Sequence, residues 1–395
     1  MARLLPLLAL LTLLAGCARS TPLLKWEDDF YYAERLHDDG QHDLARARFA
    51  ELRKTAKDPR DADEAGLMAC ETQSRAHEFQ AATACYEALS TDAADDDVRA
   101  RAFMHAGELR MYELGQTDVA LRMFQTLVER KPAAAATQRA LDHLYLYAKQ
   151  HPEKRSGMVA LLRRLETQAP DTDIADNLLL RAAMLLDLME TPVARREAVT
   201  LLERLEKLHP EAQTIVDAMM LHARLERALG NAKAEALELE RVVATFETSY
   251  NFASYVLSEH TIASLRLIEL YRGPLQDLRR AEWHAHNLPE MLKSPLKLPQ
   301  YMLELAGIQE QKGDLRAALG TCQDVLAYVR DRNEDFAEDD RRICHESETR
   351  EMRKACLDDL KGRVPVEEKE VRLAHETIER LQTALRTAPV RGGRR

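Results

Sequence analysis

Glycine and proline are scarce, at 14 residues each in a chain of 395, and aromatic side chains make up only 5%. A β protein of this size needs turn residues and strand-forming aromatics in quantity, so the composition excludes one and leaves helix. An excess of positive charge is also lacking. Lys and Arg number 56 against 66 Asp and Glu, a formal charge of −10, which argues against general nucleic-acid binding. There is no HExxH pair, no Walker A loop, no dinucleotide-binding glycine pattern and no GxSxG. The densest metal-like group, His37 and His42 among Asp38, Asp39 and Asp43, straddles Gly40. Its i, i+5 spacing suits an acidic turn better than a pair of ligands. These absences point to a protein that is not an enzyme and carries no cofactor. Apolar residues, at 46%, are by contrast plentiful enough for a packed core.

Long apolar runs are confined to the start. Arg3 precedes the run Leu4 to Leu14, and Leu14-Ala15-Gly16-Cys17 follows directly. A basic start, a short apolar stretch and small residues before a break describe a secretory signal, and the run is too short to span a bilayer, which takes roughly 20 residues. Leu-Ala-Gly-Cys resembles the lipobox of bacterial lipoproteins. That resemblance implies cleavage after residue 16, lipidation of Cys17 and a tether over residues 17–25. Ala18, in place of the Asp that retains many such lipoproteins in the inner membrane, implies the periplasmic face of the outer membrane. Several acyl chains, at roughly 0.8 kcal/mol per buried CH₂, make a stable anchor where one would be marginal.

Beyond the signal the chain repeats. Ala45-Phe49-Leu52, Ala82-Tyr86-Leu89 and Ala120-Phe124-Leu127 share an i, i+4, i+7 pattern that lies on one helical face. The phase continues at Met158-Leu162-Leu165, Ala198-Leu202-Leu205, Ala236-Glu240-Val243, Ala281-Ala285-Leu288 and Ala318-Cys322-Val325. Gly40, Gly115 and Gly313 each stand five residues before the first position, where glycine ends one helix. Pro132, Pro170 and Pro210 each fall twelve residues after it and close the second helix. Leu305-Ala306, Gly313-Asp314-Leu315, Ala318 and Val325 resemble the tetratricopeptide repeat most closely, and Gly115, Ala120, Phe124, Leu127 and Pro132 come next.

That resemblance implies an all-α, right-handed superhelical solenoid of about eight antiparallel helix pairs. One block of repeats is expected over 26–247 and a second over 248–330, separated by a loop at Thr248 to Phe252. Leu288 to Leu298 reads as an extended connection, and Asn333 to Arg342 as an acidic link into charged capping helices over 331–386. A disordered basic tail is expected over 387–395. In such stacks the first helix of each pair lines a concave groove. This places His105, Leu109 and Tyr112 in one stripe, His143 and Tyr147 in the next, then Asp187, then Arg224 and Arg227 as candidate partner-binding residues. The family's carboxylate clamp needs Lys and Asn where this chain has Leu303 and Gly307, so chaperone-tail binding of that kind is disfavoured.

An oxidising compartment gives the cysteines weight. Cys70 and Cys85 would face each other across one helical hairpin, and Cys344 and Cys356 across another, so both pairs are candidate disulfides. Cys322 occupies a core position as a small hydrophobe. The function expected is a lipid-anchored scaffold that binds envelope proteins through its groove and serves secretin, pilus, motility, secretion or outer-membrane-protein assembly. The alternative is a solute- or glycan-binding lipoprotein, or an accessory subunit of an envelope enzyme.

Overall fold

The computed structural model describes residues 22–130, 135–172, 174–245, 254–291, 297–346, 349–362 and 369–387. The lipobox with Cys17, the segment Thr248 to Phe252, Pro132 and residues 388–395 lie outside the described residues. Among the described residues there are helices and no strand, and no helix is long and apolar enough to cross a membrane.

The chain divides into two compact units, residues 1–197 and 198–395. The register slip after Glu247 therefore falls inside the second unit. The first unit holds α1 (Pro22–Asp38), α2 (His42–Thr55), α3 (Pro59–Arg75), α4 (Phe79–Asp92), α5 (Asp96–Tyr112), α6 (Thr117–Arg130), α7 (Ala135–Gln150), α8 (Arg155–Gln168) and α9 (Ala175–Asp187). α10 (Pro192–Leu208) runs across the division. Within the first unit each helix packs on its neighbours in sequence. α3 also packs on α5, α5 on α7 and α7 on α9, which makes an all-α stack of antiparallel pairs with the odd-numbered helices along one side. The second unit holds α11 (Ile215–Leu229), α12 (Ala232–Ala244), α13 (Ser254–Arg272), α14 (Leu278–Met291), α15 (Leu298–Gln311), α16 (Leu315–His345), α17 (Arg350–Gly362) and α18 (Lys369–Thr387). It pairs in the same way, with α11 also on α13.

All eight triplets of the repeat lie on even-numbered helices, α2 through α16. Ala45, Phe49, Ala82, Ala120, Phe124, Leu162, Ala198, Leu202, Leu205, Ala281, Leu288, Ala318, Cys322 and Val325 are fully or almost fully buried. The alanines let the partner helix approach, and the larger residues fill the seam they open. Gly40, Gly115, Gly230 and Gly313 turn the chain between paired helices with left-handed φ of 65° to 83°. His77 and Gln276 hold the corresponding turns with φ of 60° and 51°, although the sequence shows no glycine there. A side chain in that conformation is strained. Gln276→Gly is therefore expected to raise stability by about 1 kcal/mol, read as a higher midpoint in chemical denaturation; an unchanged or lower midpoint would show the turn to be relaxed.

Cys70 and Cys85 join α3 to α4 through a disulfide with Cα atoms 5.4 Å apart. Cys70 lies in the core formed with Leu67, Ala82, Tyr86 and Leu89. Closing a loop of this length in the unfolded chain stabilises the fold by about 3 kcal/mol. The double variant Cys70→Ser/Cys85→Ser should lose roughly that amount, which equilibrium unfolding under non-reducing conditions measures.

Two expected breaks are helical where they are described, residues 292–296 of the first lying outside the described residues. Leu288 to Met291 continues α14 despite Pro289, because burial of Ala281, Ala285 and Leu288 holds the helix to its end. The acidic stretch Asn333 to Arg342 is the middle of α16, a single helix of 31 residues. Val325 and Val329 seat its first half against Ala374 of α18, which covers α15 and α16 as a cap. Its outer half is tied to α17 by the disulfide between Cys344 and Cys356, with Cα atoms 5.5 Å apart.

Candidate functional site

An open cleft of about 660 Å³ lies in the first unit, between α3, the turn at His77, α4, α5 and α7. Its centre is Glu108 on α5, whose side chain is 14% exposed. His105, one turn earlier on the same face, brings Nδ1 to 3.0 Å from Glu108 Oε2. From α7, one repeat on, His143 Nε2 lies 2.7 Å and Arg139 Nε 2.8 Å from Glu108 Oε1. The Tyr112 hydroxyl lies 2.9 Å from His143 Nδ1. Tyr112 donates to His143 Nδ1, while His143 Nε2–H and His105 Nδ1–H donate to Glu108.

Local packing fixes both rings. His105 stacks on Tyr86 at 5.3 Å between centroids, and His143 stacks on Phe124 at 4.8 Å. Phe124 can come so close because Gly107 faces it. A Cβ on that glycine would sit 2.6 Å from Phe124 Cε1.

Burial by itself would push the Glu108 carboxyl up. Hydrogen bonds from His105 and His143, with the charge of Arg139, outweigh that and hold it at about 2. Burial, followed by the charges of Glu71 and Glu108, pushes the Tyr86 hydroxyl up. Burial and then Glu108 raise that of Tyr112. Tyr112 is therefore a protonated donor at neutral pH. The set of polar groups is built to hold hydrogen-bonding groups in place rather than to supply a nucleophile.

Of the residues read from the sequence as groove-lining, His105 lines this cleft, while His143 bonds Glu108 and the exposed Tyr112 bonds His143. Leu109 lines the same cleft and also packs in the core with Ala82 and Met123. Tyr147 lies elsewhere. It faces a smaller cleft between α6, α7 and α8, with its ring 4.3 Å from that of His151. Tyr147 lies about one turn, roughly 6 Å, beyond His143 along α7, so the two side chains meet different neighbours. Asp187 is half-buried at the end of α9, 3.9 Å from Arg195 of α10. Arg224 and Arg227 belong to the second unit, where Arg227 Nε donates to Glu235 at 2.8 Å.

Sequence reasoning missed Glu108 and Arg139. The available signal was a carboxylate three residues after His105 and 35 residues, close to one repeat, before His143. The same spacing recurs along this side of the unit, where Arg101 bonds Glu64 and Arg181 bonds Asp142. Ion pairs between successive odd-numbered helices thus fix the floor of the face.

No family model matches this chain, and no curated protein matches it. Among solved structures it is similar to the C-terminal part of a TPR repeat-containing protein from Cytophaga hutchinsonii, at 15% identity over 69% of this chain and 98% of that one, with a TM-score of 0.42. It is also similar to a tetratricopeptide repeat protein from Parabacteroides merdae, at 14% identity over 85% and 98%, with a TM-score of 0.28. The apo form of the quorum sensor NprR from B. thuringiensis is 11% identical over 83% and 95%, with a TM-score of 0.35. The described residues themselves form an all-α stack of antiparallel helix pairs.

Proposed function

We propose that the chain is a lipid-anchored scaffold that holds a protein partner on the odd-helix face of its first unit, at the periplasmic face of the outer membrane. The observation that carries this reading is the cleft around Glu108. Its polar groups are pre-paired and rigidly stacked, and the exposed aromatic side chain of Tyr112 joins them through its hydrogen bond to His143. An exposed aromatic beside fixed polar groups is the composition of a protein-binding anchor, and ordering the site in advance lowers the entropy lost on association. Lipidation of Cys17 would confine this face to one surface and raise its effective concentration for a membrane-associated partner.

Cross-linking in intact envelopes tests the reading. The wild-type chain should capture a partner in stoichiometric amount, and the combined variant Tyr112→Ala/Arg139→Glu should lose it while remaining folded. Capture that is indifferent to both substitutions removes the cleft from the function. Cys17→Ala should fold normally and leave the membrane fraction, so a variant that still sediments with membranes contradicts the anchor. A solute-binding reading rests on the volume of the same cleft, which lies within the roughly 300–1,000 Å³ of small-ligand sites. Saturable thermal shifts with small solutes, and no captured protein, would favour it.

A further inference from the structure

The second unit buries a cluster of ionisable groups well away from any role in the cleft. Glu206 on α10, His222 on α11 and Glu238 on α12 converge, with side chains 7%, 7% and 8% exposed. His222 Nδ1 lies 3.1 Å from Glu206 Oε1 and 3.7 Å from Glu238 Oε2. One nitrogen and two carboxylate oxygens, each from a different helix, fall within 4.8 Å of one another. Zinc bonds of about 2.0–2.2 Å at tetrahedral angles require ligand atoms about 3.3–3.6 Å apart. The two separations from His222 bracket that range, and the carboxylate oxygens of Glu206 and Glu238, within 4.8 Å of each other, need close by little more than about 1 Å.

On the other side of the imidazole, Glu226 Oε1 lies 3.8 Å from His222 Nε2, and Glu226 is itself held by the Asn231 amide at 2.5 Å. A shift of under about 1 Å would make Glu226 the carboxylate that backs a metal-bound histidine and leaves the opposite nitrogen free. The carboxylates of Glu206, Glu226 and Glu238 surround His222, and Arg241 Nη1 donates to Glu206 and, at 2.6 Å, to Glu238. The Arg241 side chain is 38% exposed and can turn out to water. Mixed imidazole and carboxylate donors suit zinc, whereas calcium and magnesium favour oxygen ligands alone and higher coordination numbers.

We propose that Glu206, His222 and Glu238 form a zinc site that ties α10, α11 and α12 together, with the Arg241 guanidinium as the group that zinc displaces.

The purified full chain, stripped with chelator and titrated with zinc chloride by calorimetry, tests this directly. The wild type should bind one equivalent at this site, with a zinc-dependent rise in melting temperature. His222→Gln should lose that equivalent and the rise. Arg241→Gln removes the competing cation and should bind zinc roughly tenfold more tightly or better, a gain that misfolding cannot imitate. Cobalt(II) in place of zinc should show visible absorption bands of tetrahedral coordination in the wild type and in Arg241→Gln. The proposal is overturned if neither of these two forms binds zinc at tens of micromolar, if His222→Gln binds as the wild type does, or if Arg241→Gln binds more weakly.

Discussion

Phe124→Ala is expected to destabilise the first unit by about 3–5 kcal/mol and to loosen the cleft at the same time. Phe124 is fully buried on α6, in van der Waals contact with the bare backbone of Gly107, and its ring carries His143. Removing it leaves a cavity that the α5–α6 pair can only partly close, since the chain on both sides is locked into helix. It also frees the imidazole that bonds Glu108 and Tyr112. The loss should therefore appear twice, as a lower denaturation midpoint and as weakened capture of the partner even where the variant remains folded. A change below about 1 kcal/mol, far from the range for a buried aromatic, would mean that α5 and α6 do not meet at this seam.

Acid should dismantle the cluster around Glu108 in a defined window. The folded carboxyl is held at about 2 against an ordinary value of 4.5. Because the folded value is the lower one, the stabilisation is fully present above pH 4.5. It is lost progressively as pH falls from about 4.5 towards about 2. A depression of this size corresponds to about 3 kcal/mol, and the group is buried enough that solvent screening takes away little of it. Glu108→Gln cannot titrate. The stability difference between wild type and variant, followed by unfolding from pH 6 to pH 2, should start large and shrink across that window. A difference that stays constant with pH would show that the carboxylate is not held by His105, His143 and Arg139 in the way described.

The repeat was legible because burial in a helix hairpin is periodic. Ala45, Phe49 and Leu52 have their counterparts at nearly every later unit, and the structure buries them on the same helix of each pair. The turns were half legible. Gly40, Gly115 and Gly313 announce themselves, while His77 and Gln276 hold the corresponding conformation through surrounding packing and give no sign in the sequence. The straight course of α16 was illegible for another reason. Asn333 to Arg342 has the composition of a link, and only the packing of α18 and the staple from Cys344 to Cys356 keep it helical.

The candidate cleft shows the same limit more sharply. His105, Tyr112 and His143 could be placed on one side from helical phase, yet Glu108, which joins them, reads in the sequence as one more solvated acid. Tyr147 shares α7 with Arg139 and His143 and still faces a different cleft.

By itself the sequence determined that this chain is helical, that it repeats every thirty-seven to forty-five residues, and which small and large side chains form the seam of each pair. Those properties follow from local periodicity and from the hydrophobic effect, which act on each hairpin separately. Only the tertiary structure decided which polar side chains meet. Glu108 with His143, and Glu206 with His222 and Glu238, are partners because packed helices bring them together from positions far apart in the chain. The energy of such contacts depends on distances of a few tenths of an ångström and on exclusion of water, which no spacing along a single chain can report.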